Sequence, residues 1–171
     1  MSPPEQFAEF VRGASPHLLH TAWLLTGDRH RAEDLVQTAL VRTYAAWARV
    51  RTEDATAYAR RVLVNAQTDW WRRKPWREQA VAELPERTNA DETARLHDRD
   101  ALVRALAALG RRERLVVVLR YYADLDIPTV ADLLGITPGT VKSTASRALA
   151  KLRVSTELSH DADLSHDGGL R

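Results

Sequence analysis

The segment from Asp126 to Arg153, DIPTVADLLGITPGTVKSTASRALAKLR, spells two short helices joined by a glycine turn. Asp126 can cap the first helix and Pro128 sits in its first turn, while Val130, Leu133 and Leu134 recur on one face at helical spacing. Gly135 then supplies the positive φ that ends a helix without steric cost. Thr137 and Pro138 form a new cap and first helical position. In the second helix Val141, Ala145, Ala148, Leu149 and Leu152 make the inner stripe. The opposite face carries Gly139, Lys142, Ser143, Ser146 and Arg147, with Thr137 and Thr140 at its start. Basic and small hydrogen-bonding groups in this arrangement suit a nucleic-acid groove. The pattern reads as a DNA-binding helix-turn-helix. An ordinary helical hairpin with a solvated outer face would share it, so the rest of the chain has to decide.

At 171 residues and 44% apolar content, the chain can hold one domain or two small ones. It has no cysteine, which excludes disulfides, thiol nucleophiles and Cys-ligated zinc and fits a reducing compartment, the cytoplasm by default. The apolar run Leu115 to Leu119 is far short of a membrane span, and the residues after Met1 lack a signal pattern, so no membrane partner is expected. Net charge is only +2, but it is segregated. Residues 59 to 77 hold Arg60, Arg61, Arg72, Arg73, Lys74 and Arg77 against Asp69, and residues 128 to 153 hold Lys142, Arg147, Lys151 and Arg153 against Asp132. Between them lies an acidic, proline-interrupted stretch. Two basic helical segments so separated suggest two nucleic-acid-contacting modules on one tether.

Helical periodicity predicts a first helix from about Pro4 to Leu25, with Pro16 able to break it in two. Gly27 closes it and Asp28 caps a second, whose apolar positions Ala32, Leu35, Val36, Ala39, Leu40, Thr43 and Trp47 recur every three or four residues. A third runs through Tyr58, Val62, Ala66 and Trp70 to Lys74, where Pro75 stops it. The run Leu115 to Leu119 would suit a strand by its β-branching, but no second strand candidate exists to pair with it. It is read as a buried helix over about 111 to 122. The expected fold is all-α: two small helical domains, 1–76 and 101–154, joined by an acidic linker, 77–100, and followed by an acidic, disordered tail, 155–171.

Taken together, AEDLVQTALVRTYAAW (32 to 47), YARRVLVNAQTDWWRRK (58 to 74), RERLVVVLRYYADL (112 to 125) and the helix-turn-helix resemble the extracytoplasmic-function sigma factors of bacterial RNA polymerase, in particular a compact actinobacterial branch. The resemblance implies a first domain that binds the polymerase core and captures the melted minus-10 promoter element, and a second that reads the minus-35 element. It implies the polymerase core (beta-prime clamp and beta flap) and promoter DNA as partners, and leaves an anti-sigma protein open. No cofactor, metal or small-molecule substrate is implied.

On this resemblance Arg31, Asp34, Gln37 and Thr38 would dock on the polymerase core, although a charged helix face more often means only solvent. The loop Arg49 to Asp54 resembles the segment that receives a flipped non-template base. Extrusion costs a few kcal/mol, which a protein without ATP must recover by stacking, at about 1–3 kcal/mol per base, and by phosphate neutralisation. Trp47, Trp70 and Trp71 are the stacking candidates; Arg49, Arg60, Arg61, Arg72, Arg73 and Lys74 are the phosphate candidates, and Asn65 could meet a base edge. Core packing is the competing role for the tryptophans. Adjacent Trp70 and Trp71 cannot both face inward on a helix, so one is expected in the core and one exposed, and the spacing does not say which; Trp71 is carried in the minus-10 set. The minus-35 set is Thr137, Gly139, Thr140, Lys142, Ser143, Ser146 and Arg147.

Two positions depart from the family pattern: Thr38, where an acidic residue is common, and Thr144, where arginine is common. Restoring arginine at Thr144 is expected to add one phosphate contact and tighten promoter binding. The only catalytic candidates, His17 and His20 with Glu33 or Asp34, lack the Glu-x-x-His pattern of di-metal helical bundles, and phosphate-cradling glycine loops and nucleophile elbows are absent, so an enzyme is not expected. The two competing functions are a stand-alone helix-turn-helix regulator and a polymerase-binding adaptor without promoter recognition.

Overall fold

A computed structural model describes residues 2–50, 52–73 and 100–166. Lys74 and residues 77–99 of the acidic linker lie outside the described residues. Among those described there are only helices and turns, and the chain divides into two units, Met1–His97 and Asp98–Arg171.

The first unit is built from α1 (Pro3–Thr26), α2 (Arg29–Ala45) and α3 (Ala55–Arg73), the last preceded by a 3-10 turn, Thr52–Asp54. Local chemistry sets the ends. Glu5 accepts a hydrogen bond from the Ser2 backbone N–H at 2.7 Å, Gly27 closes α1 at φ 71°, and the Asp28 carboxylate caps α2 by accepting from the Arg31 N–H at 3.0 Å. Pro16 does not break α1, which runs unbroken through it. The proline forfeits one backbone hydrogen bond, yet Ala14, Leu18, Ala22 and Leu25 on either side are buried, and that packing carries the helix across. Ala32, Ala39, Ala55 and Ala59 are wholly buried, as small residues must be where helices approach closely.

The second unit begins with α4 (100–107), followed by α5 (Arg111–Val117), which continues as a wide π-helical turn, Val118–Tyr122. All five residues of the Leu115 to Leu119 run are buried, and α5 packs on α7. A helix surrounded on all sides does not need an amphipathic stripe, which explains why this run imitates a strand. Buried Arg114 holds α4 to α5, its guanidinium donating to the carbonyls of Leu106 and Ala107 at 2.8 Å each. Burial, with Arg111 adding repulsion, pulls its pKa down to about 10.

The helix-turn-helix comprises α6 (Ile127–Leu134) and α7 (Pro138–His166). Asp126 caps α6 through the Thr129 N–H at 2.9 Å, Gly135 turns the chain at φ 64°, and Thr137 caps α7 through the Thr140 N–H at 3.2 Å. Val130, Ala131, Val141, Ala145 and Ala148 close the core between them. The backbone of α7 stays helical to His166, through most of the segment expected to be a disordered tail. No glycine or proline occurs between Arg153 and His166 to stop it, and Gly168-Gly169 come only afterwards.

Candidate nucleic-acid and polymerase-binding surfaces

In the second unit the outer face of α7 matches the arrangement read from the sequence. Thr137, Gly139, Lys142, Ser143, Ser146 and Arg147 are exposed, and Thr140 is half-buried at the start of the helix. Three hydroxyls of this set are engaged locally: Thr137 Oγ1 shares a hydrogen bond with Thr140 Oγ1 at 2.8 Å, and Ser143 donates to the Thr140 carbonyl at 3.2 Å. Lys142 and Arg147 are the cations of the face. Lys151, one further turn along, is held by the Glu113 carboxylate of α5 at 2.8 and 2.9 Å, and that contact is the main cause holding the Glu113 pKa below the usual carboxylate range.

Thr144 overturns an expectation. It is 1% exposed, on the stripe of Val141 and Ala148, and its hydroxyl has no hydrogen-bond partner among the described groups. A side chain there cannot reach phosphate, so arginine would be driven into the core. The spacing already held the signal, because Thr144 lies three residues after Val141 and four before Ala148.

In the first unit α3 divides its residues by face. Leu63, Gln67 and Trp71, at intervals of four, are buried with Val64, whereas Arg61, Asn65 and Arg72 are exposed together and Arg73 is exposed beside them. Arg72 makes only a loose ion pair with Asp69, at 3.4 Å, and both remain accessible. Arg49, after α2, is also exposed. Arg60 differs from the others: it falls at the edge of the buried stripe and is half-buried, its Nε has no partner among the described groups, and burial lowers its pKa. Its charge also contributes, after burial, to lowering the pKa of His17 on α1.

The tryptophans are rearranged relative to expectation. Trp47 is 8% exposed, packed against Phe7 edge-on at 5.0 Å and Phe10 at 5.4 Å, and offers no free ring face for a base. Trp71 is the inward member of its pair at 4% exposure, and Trp70 is the half-buried one. Which of two adjacent residues points inward depends on where α3 crosses its neighbours, a long-range fact that local spacing does not carry.

On α2, Asp34 and Gln37 are exposed, and Thr38 is half-buried, its hydroxyl donating to the Asp34 carbonyl at 2.9 Å. Arg31 is half-buried and engaged across to α3. Its guanidinium donates to Gln67 Oε1 of α3 at 2.9 Å and lies over the Trp70 ring, 3.0 Å from the centroid. Beside Asp34 and Gln37 opens a groove of about 930 Å³ between α1 and α2, with Phe7, Leu19, Leu40, Val41 and Tyr44 in its walls. Leu19, Val41 and Tyr44 are large apolar residues left exposed, and they lie off the core stripe in the sequence, the one signal that could have revealed the groove. Among the described residues no group of acidic and histidine side chains could hold a metal ion, and no helix is long and apolar enough to cross a membrane.

Two family patterns match the chain in this order: Sigma-70 region 2 over residues 10–77 and Sigma-70, region 4 over residues 99–152. The RNA polymerase sigma-E factor of Streptomyces avermitilis is 42% identical over 159 residues, 92% of this chain and 88% of that protein. The ECF RNA polymerase sigma factor SigL of Mycobacterium tuberculosis is 31% identical over 142 residues, 78% of each. Among solved structures, the sigma factor RpoE of Bartonella quintana, in complex with the anti-sigma factor NepR, superposes with a TM-score of 0.70 at 24% identity, covering 88% of this chain and 96% of that one. CnrH, in complex with the cytosolic domain of CnrY, superposes at 0.66 and 22% identity, covering 89% and 88%; both likenesses concern the fold. The chain belongs to the extracytoplasmic-function sigma factors of the sigma-70 family. It is accordingly an initiation factor whose partners are core RNA polymerase and promoter DNA.

Proposed function

We propose that the two helical units divide promoter recognition between them. The outer face of α7, from Thr137 to Arg147, reads the minus-35 duplex. The exposed stripe of α3, with Arg61, Asn65, Arg72 and Arg73, captures the melted minus-10 non-template strand, and Arg49 adds a phosphate contact. Asp34 and Gln37, with the adjoining apolar groove, dock on the polymerase core. Trp47, Trp71 and Arg31 make no DNA or polymerase contact in this reading, and Arg60 is a structural cation at the α1 side of α3. The chain performs no chemistry itself and acts in the cytoplasm with the polymerase. Residues 1–76 and 101–154 serve as the two working domains, with 77–100 as their connector. An anti-sigma partner is part of this reading, by analogy with RpoE in complex with the anti-sigma factor NepR.

The observation that carries the reading is the second basic helix face. A stand-alone regulator needs one DNA-reading helix, whereas this chain presents Arg61, Asn65 and Arg72 together on α3 besides the α7 face. Run-off transcription with purified core polymerase on a genomic fragment library tests it, comparing the parent with Arg61→Ala, Arg72→Ala. Specific transcripts with the parent that are lost with the variant are expected. Duplex binding without polymerase, and no transcripts with it, would favour the stand-alone regulator.

A further inference from the structure

Arg31 is anchored at both ends. Its backbone N–H is held by the Asp28 cap in the first turn of α2, and its guanidinium crosses to α3, where it bonds to Gln67 and covers the Trp70 ring. Gln67 is wholly buried, so the amide that receives the guanidinium is fixed by the core. The contact uses what distinguishes arginine from lysine: a planar, weakly hydrated cation that can stack on an indole and donate in its own plane. Trp70 is followed by Arg72 and Arg73, both exposed at the end of α3. The groove that Arg31 and Trp70 line, about 260 Å³, also has Asp34 and Thr38 of α2 in its wall.

We propose that Arg31 is a positioning residue for promoter opening: through Gln67 and Trp70 it fixes the last turns of α3 against α2, so that the polymerase-docking helix sets the angle of the minus-10 surface. The lowered pKa of its guanidinium, caused first by burial, accords with a cation committed to an internal contact. The proposal rests on the reading of α3 as the minus-10 surface and of α2 as the docking helix.

The test uses the full chain in holoenzyme on a promoter recovered from the run-off experiment, with core affinity and the rate of open-complex formation measured separately at saturating core. Arg31→Met keeps the stem and removes the guanidinium; Trp70→Leu removes the ring; Arg31→Lys keeps the charge but cannot stack and donate in one plane. Arg31→Met and Trp70→Leu are expected to slow opening by about tenfold each, with core affinity held within about twofold, and the double variant to be no slower than the slower single. Arg31→Lys should recover only part of the loss. In the 5-fluorotryptophan-labelled protein, the Trp70 fluorine resonance, assigned by its absence in Trp70→Leu, should move in both Arg31 variants while circular dichroism stays that of the parent.

Reduced core affinity with normal opening in Arg31→Met would make Arg31 a docking residue and overturn the proposal. So would additive slowing in the double variant or an unmoved Trp70 resonance. If Arg31→Met does not fold, Arg31→Lys carries the same comparison, and opening at the parent's rate with it overturns the proposal. Failure of the parent itself to open the promoter would remove the underlying reading as well, and the parent control distinguishes the two failures.

Discussion

Thr144 shows how one side chain reverses its meaning once its surroundings are known. Its hydroxyl is buried without a partner, so it contributes a desolvation cost rather than a contact. Thr144→Val, which keeps the shape, is expected to stabilise the second unit by about 1 kcal/mol in urea unfolding. Thr144→Arg is expected to destabilise it by more than about 3 kcal/mol and to weaken promoter binding, because the guanidinium would enter the core. Glu113 is the opposite case, a charge satisfied by Lys151 and by the Gly110 N–H at 3.0 Å. Its folded pKa lies below the ordinary value of 4.5, so the stability it adds is present above that pH and is lost as pH falls through the folded pKa. Unfolding midpoints measured against pH for parent and Glu113→Gln should therefore differ near neutrality and converge in acid; a constant gap would show that the carboxylate charge is not the source.

At the scale of elements, what could be read from the sequence was what neighbouring residues decide. Gly27, Asp28, Asp126, Gly135 and Thr137 each act within a few residues of themselves, and each stands at the helix end that its chemistry favours. The stripe of α2 and the exposed face of α7 were legible for the same reason, since periodicity follows from one helix alone. The continuity of α1 through Pro16, the choice between Trp70 and Trp71, the enclosure of Trp47 and the engagement of Arg31 across to α3 were not legible. Each depends on where a second helix crosses, which local spacing does not encode. Gly135 allows the local part to be tested on its own: a Cβ there would meet nothing within 4 Å, so only the backbone opposes it. Gly135→Ala is expected to cost about 1 kcal/mol from the positive φ, and Gly135→Asn less, as read from thermal midpoints.

Across the whole molecule a net charge of +2 hides two separate basic surfaces, one in each unit, and a helix, α2, with Asp34 and Gln37 among its exposed groups. In the proposed division of promoter recognition, binding energy gathered on duplex DNA and on the polymerase would offset the cost of holding a strand apart. If α3 captures melted DNA and α7 reads duplex DNA, the two faces must respond differently when melting is done in advance. The decisive measurement is transcript yield from a fully paired promoter and from the same promoter with an unpaired minus-10 segment, for the parent, Arg61→Ala, Arg72→Ala and Lys142→Ala, Arg147→Ala. The α3 variant is expected to lose transcription on paired DNA and to recover much of it on the premelted template, while the α7 variant keeps its deficit on both. Equal deficits for the two variants on both templates would contradict the division of labour on which this account stands.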